Sequence, residues 1–367
     1  MRGLYIHLPF CLKKCGYCDF VSYTDCFHLE QAYVDALLSE FWQYRGETVD
    51  TVYIGGGTPT SLSTKSLVRI LDGAFAAFSV AEGAEVTIEC NPKTADYDKL
   101  SALHMSGVNR LSIGVQSLDD NVLKTIGRIH TAQEAMDCVQ MAQKTGFSNI
   151  SGDLMFALPG QTMESLKKSI RGMTSMPLTH ISCYGLILEE NTPMTKKIEA
   201  GELKVPDEDM EYEMYRAICE TLHMSGFERY EISNFAKAGY ESRHNKKYWD
   251  CEEYIGCGAA AHSYYENKRF SHTDDLETYL EHPLAKQDIL AIGTEDATSE
   301  FMMLGLRKTE GISKTDFYHR FGVTLSEKFG NIIETYKEKG LLKEQGDFVS
   351  FTEQGVYLSN MVLCEFA

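Results

Sequence analysis

Three cysteines, Cys11, Cys15 and Cys18, fall within eight residues at C-x3-C-x2-C spacing, directly after the apolar run Tyr5-Ile6-His7-Leu8-Pro9-Phe10. Three thiolates on one short loop can hold three irons of a cubane cluster and leave the fourth without a protein ligand. That open position is what lets a cluster bind a second molecule and act on it. A structural zinc site would instead call for four ligands, usually as two separated pairs.

Further candidate groups recur at strand ends. Gly55-Gly56-Gly57-Thr58-Pro59-Thr60 follows the β-rich run Thr51–Ile54. Its glycines would let the backbone approach a ligand, or simply form a tight turn. Glu89 and Asp153 close two further strand-like runs; each suits ribose hydroxyls or an ammonium, and each could equally cap the following helix. Gln116 and Arg128 would complete a polar rim, although Arg128 also reads as a helix-end charge.

These groups require a frame that gathers strand ends. Six strand-like runs, near residues 4–8, 51–54, 85–89, 110–115, 149–155 and 180–188, alternate with helical periodicity, which predicts βαβ units and a parallel sheet. The unusual residues all fall at C-terminal strand ends, where (β/α) barrels carry their chemistry. The expected fold is α/β, an open (β/α)6 partial barrel, with a doubly wound sheet as the alternative. Three segments are expected: the barrel over 1–233, an aromatic and His-containing connecting segment over 234–290, and a small helical, winged-helix-like domain over 291–367.

The 367 residues carry a net charge of −18 and eleven cysteines. The acidic balance argues against nucleic-acid partners, and no apolar run reaches the length of a membrane span. Scattered cysteines without a signal peptide predict reduced thiols and a cytoplasmic location.

Together the cysteine triplet, the GGGTPT run, Arg110-Leu-Ser-Ile-Gly-Val-Gln116 and Asp153-Leu-Met-Phe-Ala-Leu-Pro-Gly-Gln-Thr162 resemble the radical S-adenosylmethionine superfamily. More narrowly, nearly the whole chain is similar to the oxygen-independent coproporphyrinogen III oxidase (HemN-like) family. The resemblance implies a [4Fe–4S] cluster on Cys11, Cys15 and Cys18, chelated by S-adenosylmethionine and able to release a 5′-deoxyadenosyl radical from it. It implies cosubstrate contacts at Tyr5, Gly56, Gly57, Thr58 and Glu89. Tyr17, Thr58, Gln116, Arg128, Asp153 and Gly185 match positions lining a second S-adenosylmethionine in the decarboxylating members.

Two departures point to one branch. The oxidases carry a fourth cysteine where this chain has Phe20, and they have an N-terminal extension before the position of Tyr5. Both departures resemble the HemW branch of heme chaperones. So does His244-Asn245-Lys246-Lys247-Tyr248-Trp249, in which His244 offers an axial iron ligand and Tyr248 and Trp249 flat faces for heme. Cys251, Cys257 and His262 stand nearby as alternative ligands. The resemblance implies a protein that binds heme and delivers it to an acceptor protein, with an electron donor such as flavodoxin and a possible homodimer. The alternative is a true coproporphyrinogen III oxidase.

Overall fold

The strands β1 (Arg2–Leu8), β2 (Thr48–Gly56), β3 (Ser79–Cys90), β4 (Arg110–Gln116), β5 (Asn149–Phe156) and β6 (His180–Gly185) lie side by side in chain order, each parallel to the next. This is seen in a computed structural model describing residues 1–367. A doubly wound sheet reverses its strand order at a switch point. Here the order never reverses, so right-handed crossovers place every helix on one face and leave the other as a barrel interior.

The two faces differ in chemistry. Leu4, Ile6, Leu8, Val52, Ile54, Val86, Ile88, Leu111, Ile113, Val115, Ile150, Leu154 and Ile181 point outward into one core shared with the helices. Residues of opposite parity on the same strands, among them Tyr53, Thr87, Glu89, Arg110, Ser112, Ser151, Asp153 and Ser182, face inward. Period-two alternation thus separates a packing face from a working face. The helices are started by side-chain caps: Ser63, Asp96, Asp119, Thr131 and Thr162 each accept a backbone N–H in the first turn of the helix that follows.

The expected connecting segment is not a connection. Residues 228–291 supply β7 (Glu228–Arg229), β8 (Asn234–Ala236), β9 (Tyr254–Cys257), β10 (His262–Tyr265), β11 (Lys268–Ser271) and β12 (Gln287–Ala291), all in the same twelve-stranded sheet. β8 lies antiparallel beside β6, and β9 parallel beside β1. These strands have two to five residues, too short to register as periodicity.

The seat of β9 is fixed by a buried carboxylate. Glu40, on the helix Glu30–Phe41, accepts the Gly258 backbone N–H at 2.9 Å and the Tyr279 hydroxyl at 2.6 Å, and faces His272 Nε2 at 2.9 Å. Glu40→Ala would strand all three partners and is expected to cost roughly 3–5 kcal/mol, read as a lowered midpoint in denaturant.

Beyond residue 291, helices Thr294–Gly305, Lys314–Phe321 and Leu325–Glu338 combine with β13 (Ile312–Ser313), β14 (Leu342–Gln345) and β15 (Phe348–Phe351) in a second, three-stranded sheet. That element order is winged-helix-like. Two short helices, Glu353–Tyr357 and Ser359–Leu363, follow the second sheet. No helix is long and apolar enough to cross a membrane.

Candidate functional site

The C-terminal ends of β1 to β6 surround a cavity of about 430 Å³. Its wall includes Cys11, Cys15, Tyr17, Cys18, Gly56, Gly57, Thr58, Glu89, Gln116, Arg128, Asp153 and Gly185. Residues singled out over a span of 175 positions therefore converge. Tyr5 is the exception. It lies off the wall, its hydroxyl bonded to His7 Nδ1 at 3.0 Å and its ring stacked on Tyr53.

The cysteine loop is held from several sides. Cys11 N–H donates to Tyr23 O at 3.0 Å, Gly16 N–H to Ile126 O at 3.2 Å, and Met194 N–H to Gly16 O at 2.9 Å. Thr58 N–H reaches Phe10 O at 2.7 Å, and Thr58 Oγ1 lies 3.4 Å from Cys11 Sγ. Arg128 donates to Gly114 O at 2.7 Å and approaches Cys15 Sγ at 3.6 Å. No three His, Cys, Asp or Glu side chains converge on a single-ion position. Thiolates on a cubane bind different irons and need not converge, as zinc ligands must. The soft, cation-flanked thiol set fits an iron–sulfur cluster.

The glycines are required by contact. A Cβ on Gly57 would stand 2.7 Å from Phe10 O, and one on Gly56, at φ +110°, would stand 2.7 Å from the His7 ring. Gln116 takes a left-handed φ of +64° as it leaves β4 for the cavity wall, a strained conformation of the kind found at functional sites.

Glu89 accepts the Tyr53 hydroxyl at 2.9 Å and the Gly56 N–H at 3.2 Å. Burial, aided by the neighbouring Asp153 charge, pushes its carboxyl up to about 7. Burial also raises Asp153, which accepts from Ser112 at 3.2 Å. Arg110 lines the floor almost wholly buried, and its Nε, like that of Arg128, has no partner. Paired carboxylates and two guanidinium groups with unpartnered Nε atoms in one cavity suit a zwitterionic ligand.

Tyr53, Arg110, Ser112, Asn91 and Ser182 also line the cavity without having been assigned roles from sequence. All but Asn91 are inward residues within strands, and their alternation with Val, Ile and Leu was the available signal.

The residues expected to contact heme lie elsewhere. His244 is 1% exposed, with Nδ1 bonded to Thr51 Oγ1 at 2.8 Å and Nε2 to the Tyr248 hydroxyl at 2.9 Å. Neither nitrogen is free for iron in this arrangement. Burial, with Lys247 and Arg110 nearby, pushes the ring down to about 3. Trp249 packs under the Arg307 guanidinium at 4.6 Å. Cys251 and Cys257 are buried, and His262 is exposed on β10 away from the cavity.

Residues 5–172 match the radical SAM superfamily, and residues 294–358 match the HemN C-terminal domain. The heme chaperone HemW of Bacillus subtilis (strain 168) is 38% identical over 375 residues, which covers 100% of this chain and 99% of the relative. The heme chaperone HemW of Lactococcus lactis is 36% identical, covering 100% and 97%. The chain belongs to the HemW family of radical SAM proteins. A solved structure of Escherichia coli coproporphyrinogen III oxidase (HemN) superposes with a TM-score of 0.88 at 21% identity, covering 99% of this chain and 89% of that one. The HemW-family chain therefore shares that fold over its length, the winged-helix-like part included.

Proposed function

We propose that this chain is a cytoplasmic heme chaperone that binds heme, carries a [4Fe–4S] cluster with S-adenosylmethionine, and delivers heme to an acceptor protein. The end-to-end similarity to HemW chaperones carries the reading.

Cys11, Cys15 and Cys18 would hold the cluster, which when bound supplies a single electron and an open iron to the cosubstrate. Glu89, held by the Gly56 N–H, would offer a carboxylate to its polar groups, and Asp153 a second carboxylate in the same cavity. Arg128 lies against the cysteine loop and balances thiolate charge. Tyr17, Gly57, Thr58, Gln116 and Gly185 shape the wall.

At the mouth, Phe20 and Ile187 are 70% and 71% exposed on the cavity rim beside Lys13 and Lys14. Apolar faces flanked by cations suit a flat macrocycle with two propionates. Phe20 occupies the position where the decarboxylating oxidases have cysteine. An electron donor of the flavodoxin kind and self-association complete the proposal.

The test is anaerobic reconstitution followed by incubation with coproporphyrinogen III in one arm and hemin in the other. Hemin binding without porphyrinogen conversion is expected. Multiple turnovers to protoporphyrinogen would establish the oxidase instead.

A further inference from the structure

The helix Arg243–Trp249 closes the barrel at the end opposite the cysteines. Glu85, midway along β3, caps it by accepting Arg243 N–H at 3.1 Å and His244 N–H at 3.0 Å. Lys247 pairs with Asp50 at 2.8 Å and Glu252 at 2.6 Å and donates to the Met1 carbonyl at 2.9 Å. The His244 ring reaches up between β1 and β2: a Cβ on Gly3 would stand 3.1 Å from it.

That ring also stacks on Tyr53, with centroids 5.3 Å apart and planes 27° from parallel. Tyr53 in turn donates to Glu89, whose other oxygen receives the Gly56 N–H. A continuous line of contact runs from the H-N-x-x-Y-W motif through one aromatic ring to the carboxylate facing the cavity.

We propose that the motif is the floor of the barrel and that His244 is a positioning residue for Glu89, acting through the Tyr53 ring, rather than an axial ligand of heme. Thr51 and Tyr248 fix the plane of the imidazole. The imidazole fixes the plane of Tyr53, and so the point from which its hydroxyl meets Glu89. The inference rests on the reading of Glu89 as a cosubstrate contact.

The experiment measures S-adenosylmethionine affinity in cluster-loaded protein and, separately, the hemin spectrum. His244→Ala is expected to weaken S-adenosylmethionine binding roughly three- to tenfold, the worth of one aromatic pair, with the hemin ligand-field bands unchanged. Tyr53→Phe, which keeps the ring and removes only the hydroxyl, is expected to weaken it similarly and to raise the pH below which binding falls. The double variant should lose little beyond the larger single effect, because both act on one carboxylate. Should His244→Ala fail to fold, Tyr248→Phe, which frees only Nε2, serves with the same two readouts.

Loss of histidine-ligation bands with cosubstrate affinity intact would overturn the proposal. So would fully additive losses in the double variant. Glu89→Gln separates the failures: if it leaves cosubstrate affinity unchanged, the Glu89 reading falls, whereas if it weakens binding and neither His244→Ala nor Tyr248→Phe does, only this inference falls.

Discussion

Gly57→Ala is expected to yield a protein unable to keep its iron–sulfur cluster and less stable even without it. The added methyl meets backbone on three sides: Phe10 O at 2.7 Å, Phe10 N at 2.9 Å and Leu8 O at 3.1 Å. Backbone cannot swing aside as a side chain can. Relief requires moving the segment that leads into Cys11 or breaking the Gly57 N–H to Leu8 O and Thr58 N–H to Phe10 O bonds. Overpacking of this kind costs about 1–3 kcal/mol, and the displaced loop no longer holds three thiols in register. Cys15→Ala provides the contrast. It removes one ligand from a partly exposed loop position, so the visible iron–sulfur absorption should vanish while the apo-protein melts near the wild-type temperature. Iron content and melting curves of the two variants, compared side by side, check both statements. Wild-type iron content in Cys15→Ala would overturn the ligand assignment.

Glu89→Gln is expected to make the unliganded protein more stable and the liganded one worse. The Glu89 carboxyl rises from its ordinary 4.5 to about 7 because burial penalises the charged form. Between those values the folded chain holds a proton that the unfolded chain has released, so stability falls as pH rises through the window. Integrated, the effect is roughly 3 kcal/mol at most above pH 7. A neutral amide escapes it. A ligand that donates hydrogen bonds or brings positive charge to Glu89 favours the ionised form, so wild-type affinity for S-adenosylmethionine should drop as pH falls below about 7. The glutamine variant should bind at least about tenfold more weakly and lose that pH dependence, given the extra strength of hydrogen bonds to charged acceptors. Denaturation at two pH values and a binding titration across pH 6–8 measure both halves.

Six strand-like runs alternating with helical periodicity, with the unusual residues at their C-terminal ends, made the barrel legible, because a (β/α) barrel gathers its chemistry where strands run into loops. Cys11, Cys15 and Cys18 were legible from spacing alone, and Glu89, Gln116 and Asp153 from their place at strand ends. Tyr53 and Arg110 were not, since a polar residue inside a strand looks like surface until the sheet curls around it. The strands from Asn234 onward escaped because they are three to five residues long, and β9 is seated by β1, about 250 residues away. The surroundings of His244 were hidden for a related reason. A short motif shows its own side chains but not the Thr51, Tyr53 and Glu85 groups that surround them.

The floor and one wall of the barrel come from late in the chain: His244 meets Thr51 across 193 positions, and Arg2 meets Glu253 across 251. A ribosome therefore delivers the cysteine loop first and the pieces that enclose it last. Until β9 docks beside β1, the earliest strand has a bare edge and the barrel has no bottom. Assembly of the metal centre in a finished cavity must wait until two-thirds of the polypeptide has emerged, and the slowest contacts to form are those that seal the site rather than those that bind within it.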